Sequence, residues 1–272
     1  MQICTIIFKQ KNMIQKMISV RRIKNLAFAT FVGLSFFSFQ SCDNDDDVTE
    51  NKHDDVFELA VRKVNSGVSI NDFTTARDAF VTKLMQQDGT SNDREFQPFF
   101  DFSQSLPLDS VYIGMTQYKD LTTYTNLGTQ AQNWSEALPF ISKFTPLAFE
   151  ALQPLDEYKP VDLSSLAPKN SGRVLEIAVR DLSLYNNFNQ ADYEAKRDAF
   201  LTALKQQNGF VQEVQWKSVT NPNVVVGMTV YASQSAAVGI LSDANFTNSS
   251  AVMDFLGTYP PNKVATINTV LK

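Results

Sequence analysis

Glu58 and Arg62 stand four residues apart in an alternating stretch, and Glu176 and Arg180 repeat that spacing later in the chain. In a strand, where the side-chain period is two, residues four apart share one face. Phe57, Leu59 and Val61 form one face of the first stretch, and Glu58, Ala60 and Arg62 form the other. We expect the apolar face to meet covering helices and the polar face, with its counterpart Glu176, Ala178 and Arg180, to meet the space between two sheets. Two Glu/Arg pairs would then line one cavity. A buried charge is costly unless paired, and a guanidinium suits a carboxylate or an enolate. The plainer arrangement is that each pair closes on itself, or lies at an open edge as a solvated ion pair. Aromatic residues add a second set. Tyr118, Trp216 and Tyr231, with Phe99, Phe100, Phe102 and Tyr112, fall on strand-like stretches. There a tyrosine or tryptophan offers a donor beside a flat apolar wall, suited to a planar ligand, although core filling explains an aromatic strand residue equally.

Other chemistry is missing from the sequence. The single histidine is His53, and the two cysteines are Cys4 and Cys42. Zinc sites and His- or Cys-based triads therefore have no ligands in the folded part. No phosphate-cradling glycine loop or G-x-S-x-G elbow occurs. We expect no metal and no cofactor. Residues 1–41 hold six Lys/Arg and no Asp/Glu, whereas the whole chain carries −5. The remainder is thus strongly acidic, which argues against nucleic acid as a partner.

Cys42 separates two regimes. Before it, Arg21, Arg22 and Lys24 precede an apolar run over 26–39, shorter than the roughly 20 residues that a membrane span needs. After it, Asp43-Asn44-Asp45-Asp46-Asp47 begins an acidic tether that can bury nothing. Residues 1–41 read as a signal peptide, with Met17 (or Met13) giving a start of ordinary length, and 42–55 as a lipidated cysteine plus tether. The stretch Ser41 to Asp47 resembles the signal end of Bacteroidetes lipoproteins. That resemblance implies acylation at Cys42, insertion of the acyl chains into a bilayer, and an outer-membrane, surface-exposed location.

Beyond the tether the chain repeats itself. Phe57-Glu58-Leu59-Ala60-Val61-Arg62 matches Leu175-Glu176-Ile177-Ala178-Val179-Arg180, and Arg77-Asp78-Ala79-Phe80 matches Arg197-Asp198-Ala199-Phe200. Gly114-Met115-Thr116-Gln117-Tyr118 matches Gly227-Met228-Thr229-Val230-Tyr231. Two copies, 56–156 and 173–272, flank a linker at 157–172. Periodicity predicts strand 57–64, helix 72–87 stopped by Gly89, strands 95–103 and 110–118, helix 134–144 and strand 146–155. The second copy repeats this as 174–182, 190–207, 210–219, 224–232, 249–259 and 263–271. Each copy is an α+β unit of the ferredoxin-like β-α-β-β-α-β type, whose bare sheet face needs a cover. Two tandem units with facing sheets would make an intramolecular, pseudo-dimeric α/β barrel, and hence a monomer.

Through these repeated strands and helices the sequence resembles the antibiotic biosynthesis monooxygenase-like members of the dimeric α/β barrel superfamily. The resemblance implies either a barrel that binds a small aromatic or carboxylate ligand without catalysis, or a cofactor-independent monooxygenase acting on a phenolic or quinone-like substrate. Related barrels include haem enzymes, but no His or Cys ligand for iron is present here. A purely structural or interaction role would require a lumen filled with side chains.

Overall fold

The computed structural model describes residues 54–272. The signal peptide, Cys42 and most of the tether lie outside the described residues. Among the described residues no helix is long and apolar enough to cross a membrane.

The first half comprises β1 (Val56–Val64), α1 (Ile70–Leu84), β2 (Thr90–Asp101), β3 (Val111–Tyr118), α2 (Leu121–Ala131), α3 (Ala137–Ile141) and β4 (Phe144–Pro154). A connector carries α4 (Leu163–Leu166). The second half comprises β5 (Val174–Asp181), α5 (Gln190–Lys205), β6 (Phe210–Ser218), β7 (Val224–Tyr231), α6 (Gln234–Ser242), α7 (Ala244–Thr247), α8 (Ser250–Thr258) and β8 (Val264–Val270). Long helices start alike in both halves: the Ser69 and Asn189 side chains accept from the backbone N–H of Asp72 and Asp192. Those first-turn acids, with Lys83 and Lys205 in the last turns, also suit the helix dipole. Gly89 and Gly209 follow with positive φ, the conformation that lets the chain reverse into the next strand.

All eight strands form one closed antiparallel barrel in the order β1-β3-β2-β8-β5-β7-β6-β4. The sequence predicts two sheets that face one another, whereas the structure also joins them edge to edge. β8 pairs with β2 from Phe96↔Val270 to Asp101↔Thr266, and β4 pairs with β6 from Leu152↔Ser218 to Pro154↔Trp216. Closure satisfies the edge N–H and C=O groups that two separate sheets would leave open.

The alternation is as predicted, but its sense is reversed. Phe57, Leu59 and Val61 pack with Ile113, Met115, Ile177, Val226, Met228 and Trp216 in a single cluster that draws on strands from both halves. β1 and β5 are four places apart in the ring, so such contacts cross the lumen. The barrel interior is a predominantly apolar core, in which each fully buried Leu, Ile or Phe contributes about 1.5–3 kcal/mol. Thr266 and Asn268, fully buried on β8 opposite Ile177 and Leu175, share this face, and Thr266 Oγ1 and Asn268 Oδ1 have no hydrogen-bond partner there. Glu58, Ala60 and Arg62 instead face the helices.

Two further differences concern the connections. Helices α2 and α6 were not expected; Leu121-Thr122-Thr123-Tyr124-Thr125-Asn126 is rich in poor helix formers, and the counterpart of α2, Gln234–Ser242, is short and interrupted by Gly239. Caps from Asp120 and Ser233 start them, and Leu127 and Ile240 pack them down. The 157–172 linker packs on the barrel. Leu163, Leu166 and Ala167 join the luminal cluster. Arg94 Nε donates to the Ala167 carbonyl at 2.7 Å, and Leu163 N donates to Gln117 Oε1 at 3.1 Å. The linker therefore closes the barrel end where β3 leaves and β2 enters.

Candidate functional site

Between sheet and helices each half holds a polar layer, assembled from equivalent positions. The repeated Gly-Met-Thr-x-Tyr segments on β3 and β7 turn Met inward and Gly, Thr and Tyr toward the helices. The paired strands supply Glu58 and Arg62, or Glu176 and Arg180, opposite Thr116 and Tyr112, or Thr229 and Val225. Helices α1 and α5 add Arg77 and Arg197, both buried within their apolar stripes.

In the first half the two arginines share one carboxylate. Arg62 Nη2 donates to Glu95 Oε2 at 2.7 Å, and Arg77 Nη1 approaches Glu95 Oε1 at 3.2 Å without hydrogen-bond alignment. Arg62 also lies over the rings of Phe73, Phe140 and Phe144 at 5.4–5.9 Å. Gly114 makes this approach feasible, since a Cβ there would stand 2.4 Å from Arg62 Nη2. Arg77 and Lys272 both reach Asp78. Burial would lower the Arg77 pKa, but Glu95 and Asp78 outweigh it and hold the guanidinium above its ordinary value.

The second half is built differently. Arg197 Nη2 donates to Glu213 Oε1 at 3.2 Å, and Thr229 donates to the other oxygen of Glu213. Arg180 Nε donates to the Tyr259 carbonyl at 2.9 Å, and its guanidinium lies 4.9 Å from the Phe255 ring centre. The strand position that holds Glu95 in the first half holds Gln215 here, each opposite its glycine.

Each half also carries a Tyr–Glu pair. Tyr231 donates to Glu176 at 2.6 Å and Tyr118 to Glu58 at 3.5 Å. Both glutamates are half-buried. Burial pushes Glu58 up to about 7; repulsion from Asp93 adds to this, while Arg62 and the Tyr118 hydroxyl oppose it. Burial likewise pushes Glu176 up to about 7, helped by Glu213 and opposed by Tyr231 and Arg180. Asp93 rises to about 6, through burial and then through Glu95. Both tyrosines are held well above their usual range, chiefly by burial and by the adjacent glutamate. A carboxyl that exchanges its proton near neutrality beside a hydroxyl donor can bind a hydrogen-bonding ligand or move a proton.

Of the seven candidate cavity residues, Glu58, Arg62, Tyr118, Glu176, Arg180 and Tyr231 therefore lie on the helix side, three in each half, and no shared luminal cavity joins them. Trp216 is separated from them by the sheet. It packs in the lumen with its ring 4.7 Å from Phe57, and its Nε1 has no hydrogen-bond partner. Phe99, Phe100 and Phe102 pack toward the helices of the second half. Sequence reasoning missed Arg77, Glu95, Asp93, Arg197 and Glu213 as site residues. A signal was present: Arg-Asp-Ala-Phe recurs unchanged, and its Arg stands four residues after Phe73 or Tyr193, inside an apolar helix stripe.

Two surface hollows, of about 310 and 520 Å³, lie beside Arg173 and Gln234 and along Gly209, Ala236 and Gly239. None of the candidate residues lines either. No group of three His, Cys, Asp or Glu is placed to hold a metal among the described residues. With neither imidazole nor thiolate between residues 54 and 272, the donor set does not fit a haem iron held by His or Cys.

These features define an eight-stranded antiparallel barrel with outer helices, similar to the dimeric α/β barrel proteins. No family model and no curated protein matches the chain. Among solved structures it is similar to an anthrone oxidase-like protein, with TM-score 0.57 and 9% identity over 81% of this chain and 93% of that one. A protein designated a chlorite dismutase, TA0507, gives TM-score 0.51 and 7% identity over 80% and 95% of the two chains. A mutant chlorite dismutase from Candidatus Nitrospira defluvii, in complex with cyanide, gives 0.50 and 8% over 81% and 92%. At these identities the likeness concerns the fold alone.

Proposed function

We propose that this chain is an exported lipoprotein, anchored through Cys42 in the outer membrane and exposed at the cell surface. On this reading two tandem ferredoxin-like units build the barrel, which binds a small ligand without transforming it. The ligand site is the crevice between sheet and helices, not the lumen. The carrying observation is the contrast between a lumen filled by fully buried side chains and the half-buried Glu58 and Glu176, each hydrogen-bonded to a tyrosine. Mass spectrometry of the protein purified from its own host tests this. A mass excess seen under native and lost under denaturing conditions supports binding, and acyl chains on Cys42 support anchoring. A bare chain with an unmodified cysteine refutes both.

A cofactor-independent oxygenase is the second reading. It is favoured by the carboxyls near pKa 7 beside tyrosine hydroxyls, which suit a general base for a phenolic proton, and by the fold shared with an anthrone oxidase-like protein. Dioxygen uptake with an anthrone or a hydroquinone, lost in Glu58→Gln or Glu176→Gln, would establish it. Absence of uptake with both compounds would remove it.

A further inference from the structure

Arg180 is 5% exposed, yet among the described residues no carboxylate lies within 4 Å of its guanidinium. Among the described residues only its Nε has a hydrogen-bond acceptor, the Tyr259 carbonyl; the Phe255 ring centre lies 4.9 Å away, and the carboxyl that feels its charge, Glu176, is beyond ion-pair distance and hydrogen-bonded to Tyr231. An uncompensated buried cation is costly. The first half shows what complements the equivalent Arg62: the Glu95 carboxylate, 2.7 Å from Nη2. In the second half Gln215 takes the Glu95 position and turns to the Tyr193 hydroxyl at 3.5 Å. The Arg180 guanidinium also stands further from its strand, with Nη1 3.9 Å from a Cβ built on Gly227, against 2.4 Å for Arg62 over Gly114. Around it, Tyr185, Phe188, Tyr193, Phe255 and Tyr259 form an aromatic cluster with ring centres 5.3–5.9 Å apart along the chain of contacts.

We propose that Arg180 receives the carboxylate of an aromatic ligand, which supplies from outside the anion that Glu95 supplies from within the first half. The inference rests on the reading that the sheet–helix crevice is a ligand site, and it restricts that site to the second half. The guanidinium holds the carboxylate through its Nη groups, with charge-assisted hydrogen bonds of the kind made by Arg62. The aromatic cluster offers faces and edges to the ligand ring.

The test is calorimetric titration of the purified full-length protein with benzoate and with benzyl alcohol, its neutral counterpart. One equivalent of benzoate should bind, with benzyl alcohol weaker by roughly tenfold or more. Gln215→Glu should place a carboxylate on Arg180 and weaken benzoate by roughly tenfold or more, while thermal unfolding shows the fold intact. Arg180→Gln provides a second variant with the same expected loss. Benzoate binding unchanged in Gln215→Glu, or two equivalents bound, overturns the inference. Benzyl alcohol binding as tightly as benzoate also overturns it but leaves the crevice as a ligand site. Binding of neither probe overturns the anion site, whereas a host-derived mass excess would show independently that some other ligand is carried.

Discussion

The two halves repeat the same strands and helices but neutralise their buried arginines by different means. In the first, Glu95 lies between Arg62 and Arg77, so one carboxylate serves two guanidinium groups. In the second, Gln215 stands at the Glu95 position, and Glu213, which stands where the first half has Asp93, serves Arg197 alone. Arg180 is left to a carbonyl and an aromatic ring. Duplication supplies two equal scaffolds, and one residue difference, Glu95 against Gln215, separates a closed ionic cluster from one that lacks an anion.

The largest effect that sharpens this contrast is expected from Glu95→Ala. It leaves Arg62 buried without its carboxylate, and Arg77 with Asp78 alone, and should cost about 3–5 kcal/mol in denaturant unfolding. Gln215→Ala, which removes only a long hydrogen bond, should cost less than about 1 kcal/mol. Equal losses would mean that the halves do not differ as described. The glycines give an intermediate effect. Gly114→Ala places a methyl group 2.4 Å from Arg62 Nη2 and must displace a paired guanidinium, at about 1–3 kcal/mol. Gly227→Ala meets Glu213 at 3.1 Å and stands clear of Arg180, so thermal unfolding should detect a smaller change.

The smallest effect concerns pH. Glu58 and Glu176 bind protons more tightly in the folded state, near 7, than an unfolded glutamate at about 4.3. Between those values the folded protein holds more protons, so this contribution is complete below about pH 4 and is lost as pH rises through about 7. The unfolding midpoint should therefore fall from about pH 5 to about pH 8, by on the order of 1 kcal/mol per group, and Glu58→Gln or Glu176→Gln should flatten the slope. Asp93, at about 6, adds a further group in the first half, so Asp93→Asn should flatten it again. A slope unchanged in all three variants would place the titration elsewhere.

Much of this molecule was legible because repetition doubles every signal. β1, β3, β5, β7 and α5 fall close to the predicted ranges, since their apolar periods and caps are strong. Helix α2 was hidden because its threonines and asparagine carry little propensity, and packing of Leu127 against Leu84 and Tyr118 holds it instead. The packing of the 157–172 linker was not legible because only the barrel end gives Leu163 and Leu166 something to cover. Glu58, Arg62, Glu176 and Arg180 were identifiable as a repeated polar strand face. Their partner Glu95 was not, because it lies on another strand and its pairing is non-local.

The sequence by itself determined that these strands have two chemically distinct faces, that the pattern occurs twice, and that the folded part offers no imidazole or thiolate. Only the tertiary structure decided which face turns inward. A period of two distinguishes the faces without naming them, and in a barrel wrapped by helices both faces are buried. The apolar set went to the lumen because side chains converging there from eight strands are screened from solvent on all sides. The charged set went beneath the helices, where Arg77 and Arg197 could meet it.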